Sequence, residues 1–101
     1  MDAVQFTRVA KALADPRRFA LLELIAGADE VPCKRMVEAL PVSQATISHH
    51  LKELATAGLI EARREGQCGH YRACPEVLAA YAAELERRLR FASASPAAAT
   101  G

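Results

Sequence analysis

Residues 43–58 carry the pattern that most restricts what this chain can become. Ile47, Leu51 and Leu54 recur at i, i+4 and i+7, the spacing of one face of an α-helix. Gln44, Thr46, Ser48, His49 and Lys52 fall away from that stripe. Ser43 stands where an N-cap is needed, because its hydroxyl accepts a free backbone N–H. Gly58 stands where the chain must leave the helix, because glycine tolerates positive φ. The segment is predicted to be one short capped helix with an apolar side and a polar side. His50 flanks the apolar stripe and is expected to be packed and hydrogen-bonded.

The rest of the chain supplies the setting. A first helix is predicted from Asp2 to Ala14, with Val4, Val9, Ala12 and Leu13 on its apolar side and Phe6 adding bulk. Asp15 and Pro16 read as N-cap and N1 of a second helix. It runs to about Ala26 and offers Phe19, Leu21, Leu22 and Ile25 to a core. A third helix is expected from Asp29 to Leu40, with Met36, Val37 and Leu40 facing inward. Leu40, Pro41 and Val42 then make a tight connection to the capped polar helix, which is a helix-turn-helix arrangement. Leu59 to Arg64 reads as a strand, Glu65 to Gln67 as a turn, and Cys68 to Ala73 as a returning strand. A last helix starts at Pro75, with Val77, Leu78, Tyr81, Leu85 and Leu89 in helical period. The predicted fold is mainly α with a β-hairpin wing (α+β), a winged helix-turn-helix of order ααααββα. Residues 1–91 form the domain, and residues 92–101 are expected to be a flexible Ala/Ser/Pro tail.

Size and charge set limits. With 101 residues, 51% of them hydrophobic, the chain can bury one small core. Its formal net charge is only +1. Charge therefore does not indicate a nucleic-acid partner, and the inference rests on the helix and on clusters such as Arg17-Arg18 and Arg63-Arg64. No apolar run is long enough to span a membrane, and the first residues have no signal-peptide pattern. A cytoplasmic protein without a membrane partner is expected. Its three cysteines are then expected to be reduced. No Gly-rich phosphate loop, no nucleophile beside a local base and no complete metal motif is present, so an enzyme is not expected.

Several separated segments, in order, resemble one family. Ala12 to Phe19, Val42 to Leu54, Ala57 to Ile60, and Arg63 to Gln67 continuing to Tyr71-Arg72 are similar to the ArsR/SmtB family of bacterial transcriptional repressors. The resemblance extends to about Leu89. It implies a homodimeric winged helix that binds a double-stranded DNA operator of two-fold symmetry and is joined through its first and last helices. Val4, Phe6, Val9, Leu78, Tyr81, Leu85 and Leu89 are the interface residues this implies. Family pattern and helix geometry together make Ser43, Gln44, Thr46, Ser48 and His49 the expected major-groove contacts. There, base edges offer donors and acceptors to such side chains. Lys52 is expected on a phosphate, and Arg63, Arg64, Gln67 and Arg72 of the wing on the backbone or the minor groove.

The resemblance also implies release from DNA by a chemical signal in some members, while others have no known inducer. The Cys-x-Cys pattern of metal-sensing relatives is absent, since the segment Val31-Pro32-Cys33-Lys34-Arg35 holds one cysteine and not two. The last helix, Val77 to Leu89, holds no His, Asp or Cys, so paired metal ligands are absent there as well. Cys33, Cys68 and Cys74 remain as possible sensor thiols. On a strand, positions 68, 70, 72 and 74 share one face, so Cys68, His70 and Cys74 are expected to project together. Three roles stay open for the thiols: packing as small hydrophobes, redox or persulfide sensing, and binding of a soft metal or a trivalent metalloid. No cofactor is required, and the inducer is unknown. A winged helix can also serve as a protein-interaction module, but the polar face from Gln44 to Lys52 argues against that use.

Overall fold

The computed structural model describes residues 1–65 and 68–91, with the backbone alone at 64, 65 and 68. The expected tail at 92–101 and the turn residues Gly66 and Gln67 lie outside the described residues. Helix α1 spans Ala3–Ala14, and Asp2 caps it by accepting the Gln5 N–H at 2.8 Å. Helix α2 spans Pro16–Ala26. Asp15 is its cap, accepting from the N–H groups of Arg17 and Arg18 at 2.9 and 3.0 Å. Both caps satisfy donors that a helix start leaves without intrahelical partners.

The third segment departs from expectation. Val31–Pro32 is a short strand, β1, and helix α3 is confined to Cys33–Ala39. The order is therefore ααβααββα, with one strand more than the sequence pattern indicates. Pro32 was expected inside a helix, but a residue that precedes proline is pushed toward extended backbone. Val31 accordingly buries its side chain as a strand residue. Lacking an N–H, Pro32 fits an edge strand. Strands β2 (Ile60–Glu65) and β3 (Cys68–Ala73) form the hairpin, and β1 pairs antiparallel with β3 to give the order β1-β3-β2. Val31 stands opposite Tyr71, and Pro32 opposite His70.

Helix α4 covers Gln44–Thr56 and is the centre of the core. Its Ile47, Leu51 and Leu54 are at most 2% exposed and pack with Leu21 and Ile25 of α2, Met36 of α3 and Leu59 after the helix. The helix ends in a Schellman motif. The Leu59 N–H reaches the Leu54 carbonyl at 3.0 Å, and the Gly58 N–H reaches that of Ala55 at 3.0 Å. Gly58 holds φ at +85°, and both apolar partners of the motif, Leu54 and Leu59, are buried. The motif turns the chain directly into β2, so the wing is aimed by the end of α4.

Helix α5 spans Pro75–Leu89 and meets α1. The rings of Phe6 and Tyr81 stack at 5.0 Å, and the Arg88 guanidinium lies 4.1 Å over Phe6. Arg87 and Arg88 both bond Glu84 and hold its carboxyl at a pKa of about 2. Val4, Leu89 and Phe91 remain exposed. Leu78 and Tyr81 are packed partly against the protomer core, and Leu85 is half-buried. Two expectations are corrected here. Val9 is 0% exposed, so its side chain lies inside the protomer and has no surface left for a partner subunit. Phe19, expected in the core, is 43% exposed, because the buried face of α2 is set by Leu21, Leu22 and Ile25.

Replacing Gly58 tests the aim of the wing. A Cβ there would sit 3.0 Å from Gln5 Nε2, and the backbone has positive φ. Gly58→Ala is expected to cost about 1–2 kcal/mol, read as a lower urea midpoint with an unchanged m-value.

Candidate nucleic-acid interface

Burial of one side of α4 decides what the other side shows. Gln44, Ser48, His49 and Lys52 are exposed there, and Thr46 is half-buried. The Ser43 hydroxyl accepts the Thr46 N–H at 3.2 Å and lies 3.0 Å from the Thr46 hydroxyl. The first turn is thereby fixed, with a short row of amide, hydroxyl, imidazole and ammonium groups facing water. These are donor and acceptor types that can read base edges or meet phosphates.

His50 points the other way. It is 7% exposed, and Arg18 Nε donates to its Nδ1 at 3.5 Å. Burial is the main cause that lowers its pKa from the usual histidine value of 6.5, while the Asp15 carboxylate pulls upward. The ring is thus held neutral with Nδ1 as acceptor, joining α2 to α4. The carboxyl of Asp15 is itself held below its ordinary range, chiefly by the Arg18 N–H it accepts.

The wing arginines are already engaged. Arg63 Nε donates to Glu30 Oε2 at 3.2 Å, and His70 Nδ1 lies 3.4 Å from Glu30 Oε1. Arg72 Nε donates to Glu61 Oε2 at 3.1 Å across the β2–β3 pair. The Glu30 carboxyl is held below its usual range, chiefly by Arg63. Among the sequence-predicted wing contacts, Arg63 and Arg72 thus carry countercharges from their own chain. Gln67 and the Arg64 side chain lie outside the described residues.

The thiols are dispersed. Cys33 opens α3 and is half-buried. Cys74 is 4% exposed at the N-cap of α5, with its N–H bonded to the Leu59 carbonyl at 2.9 Å. Because β3 ends at Ala73, Cys74 does not continue the strand, and the expected face shared with Cys68 and His70 stops short of it. The side chain of Cys68 lies outside the described residues. Burial pushes the Cys74 thiol pKa up, and the carboxylates of Glu61 and Glu76 add to that. Ligand atoms of Glu61, Cys74 and Glu76 lie within 4.8 Å of one another. Sequence reading missed this group, because pairing of β2 with β3 is needed to bring Glu61 to the start of α5. Among the described residues it is the group of three candidate ligands, and it holds one thiol. It does not fit a trivalent metalloid, which calls for soft donors rather than carboxylates.

Comparison with known proteins agrees with this geometry. Residues 13–63 match the family model described as a helix-turn-helix domain. The chain is 44% identical over 69 residues to the arsenic resistance transcriptional regulator ArsR1 of Pseudomonas putida, covering 68% of this chain and 54% of that protein. It thus spans about half the length of that relative. The ArsR-like transcriptional regulator from Rhodococcus sp. RHA1 superposes with a TM-score of 0.74 at 31% identity, over 94% of this chain and 93% of that one. The homodimeric winged helix-turn-helix DNA-binding domain Mb0332 of Mycobacterium bovis gives a TM-score of 0.67 at 33% identity, over 90% and 80% of the two chains.

Two outcomes are expected from the site. His50 has a lowered folded pKa, so the unfolded chain binds more protons just below pH 6.5. Its contribution to stability is complete above that value and is lost as pH falls through it. Urea midpoints of the wild type should drop over this range, and the drop should shrink in His50→Gln. In native-state alkylation followed by mass spectrometry, Cys74 should react more slowly than Cys33 and should catch up in denaturant.

Proposed function

The chain belongs to the ArsR/SmtB family of winged-helix transcriptional regulators, and from that premise we propose that it is a homodimeric repressor of an inverted-repeat operator. The observation that carries this reading is the exposed polar face of α4, capped at Ser43 and backed by a buried apolar stripe. In this reading Gln44, Ser48 and His49 enter the major groove with Ser43 and Thr46 at the leading turn. Gln44 is the side chain best suited to bidentate contact with adenine. Lys52 meets a phosphate and positions the helix without reading sequence.

Dimerisation follows from the same logic. Val4 on α1, with Leu89 at the end of α5 and Phe91 just after it, leaves apolar surface exposed on and beside the two helices coupled by the Phe6–Tyr81 stack. A second copy related by a two-fold axis would cover it and place two α4 helices on the two halves of a palindrome. The homodimeric Mycobacterium bovis neighbour supports this arrangement.

The inducer reading is narrower. The Pseudomonas putida relative is named for arsenic resistance. Here one thiol favours packing: Cys74 is buried with a raised pKa, and the cluster around it is mostly carboxylate. We therefore assign Cys74 a structural role and leave thiol sensing to Cys33 and Cys68.

The test uses duplex DNA from the region upstream of the protein's own coding sequence, with a scrambled duplex as the non-specific reference. Gln44→Ala should weaken operator binding by about 1–3 kcal/mol and leave binding to the scrambled duplex nearly unchanged. Equal losses on both duplexes would remove Gln44 from base reading. No binding of the wild type to any duplex would sink the repressor reading itself.

A further inference from the structure

Cations on this chain fall into two groups. Arg63, Arg72, Arg87 and Arg88 are each paired with a carboxylate. Among the described residues, Arg8, Lys11, Arg17, Arg18, Lys34, Arg35, Lys52 and Arg90 are in no ion pair. Three of these, Arg8, Lys11 and Arg18, converge on a cavity of about 80 Å³ between α1, α2 and the C-terminal half of α4, which Glu53, Thr56 and Ala57 also line. Thr56 comes seven residues after His49, two helical turns, and therefore lies on the face that carries His49 and Lys52. The cavity continues the polar surface of α4 toward its C-terminus.

One of the three cations and helix α1 itself are held in place relative to α4. Arg18 is fixed at both ends of its guanidinium: Nε donates to His50 Nδ1 at 3.5 Å and Nη1 to the Lys11 carbonyl at 3.4 Å. Gln5 Nε2 donates to the Ala57 carbonyl at 3.3 Å and ties α1 to the end of α4. The space suits a small anionic group and is too small for an extended organic ligand. Glu53 is the one carboxylate on the wall, against three cations.

Resting on the operator-binding reading above, we propose that Arg8, Lys11 and Arg18 form a phosphate site that seats the DNA backbone beside α4. They take the positioning role that the sequence pattern gives to the wing arginines. Arg63 and Arg72 would have to exchange Glu30 and Glu61 for phosphate, and such an exchange gains little. Arg8 and Lys11 give up only water, and the duplex releases its condensed counterions.

Salt dependence of binding by the full chain tests this. Each phosphate contact contributes about 0.9 to the slope of log K against log salt. A homodimer carries the site twice, so Lys11→Gln should lower the slope by about 1.8, alike on operator and scrambled duplex. Arg8→Gln should do the same, and Lys11→Arg should restore the slope. Arg87→Gln, which removes the same charge from α5, should leave it unchanged. Urea midpoints of the Arg8 and Lys11 variants should match the wild type, since both side chains are exposed on the protomer. An unchanged slope in Lys11→Gln and Arg8→Gln overturns the site, and so does an equal fall in Arg87→Gln. Wild type that binds no duplex would instead be the failure of the operator-binding reading.

Discussion

Burial of Ile47, Leu51 and Leu54 is the constraint on which the rest depends. These side chains pin α4 against α2, α3 and the residues that follow it. At roughly 1.5–3 kcal/mol for each fully buried aliphatic side chain, the stripe fixes the rotation of the helix about its axis. Once that rotation is set, Gln44, Ser48, His49 and Lys52 have no direction left but outward. His50 sits at the border of the two faces and is turned inward, where the Arg18 guanidinium meets it. The same helix aims the wing, because the Schellman motif at Gly58 delivers Leu59 into the core and Ile60 into β2.

Electrostatics adds a second layer. A formal charge of +1 hides a segregation of charge. Carboxylates Glu30, Glu61 and Glu84 pair with Arg63 and Arg72 of the wing and with Arg87 and Arg88 of α5, whereas the cations of α1, the start of α2, α3 and the outer face of α4 are in no ion pair. For a duplex, local potential matters more than the total, since contacts are made within about a Debye length. A nearly neutral chain can therefore present a basic surface on one side. Pairing also gives the wing a different role: Glu30 joins the loop after α2 to Arg63 and His70, which braces the hairpin against the helical body.

The cysteines show how little a count of residue types decides about chemistry. Cys74 sits at a junction between strand and helix, buried, with two carboxylates nearby. That environment disfavours the thiolate on both grounds, desolvation and like charge. A thiol so placed packs as a small apolar group.

Local physics was legible along the chain. Caps at Asp15 and Ser43, the glycine exit at Gly58, the proline start of α5 and the amphipathic period of α4 all depend on residues within one or two turns. The sequence by itself therefore determined α1, α2, α4 and α5, the hairpin and the polar face of α4. Contacts between segments distant in the chain were not legible. Strand β1 exists because Val31 and Pro32 lie beside Tyr71 and His70, and Val9 is sealed in the core by helices that follow it. Arg63 and Arg72 are paired because folding brings Glu30 and Glu61 to them, and Arg8, Lys11 and Arg18 meet only when α1 and α2 dock on α4. Only the tertiary structure decided those points, because burial and charge pairing depend on distance in space, which local spacing along a chain does not fix.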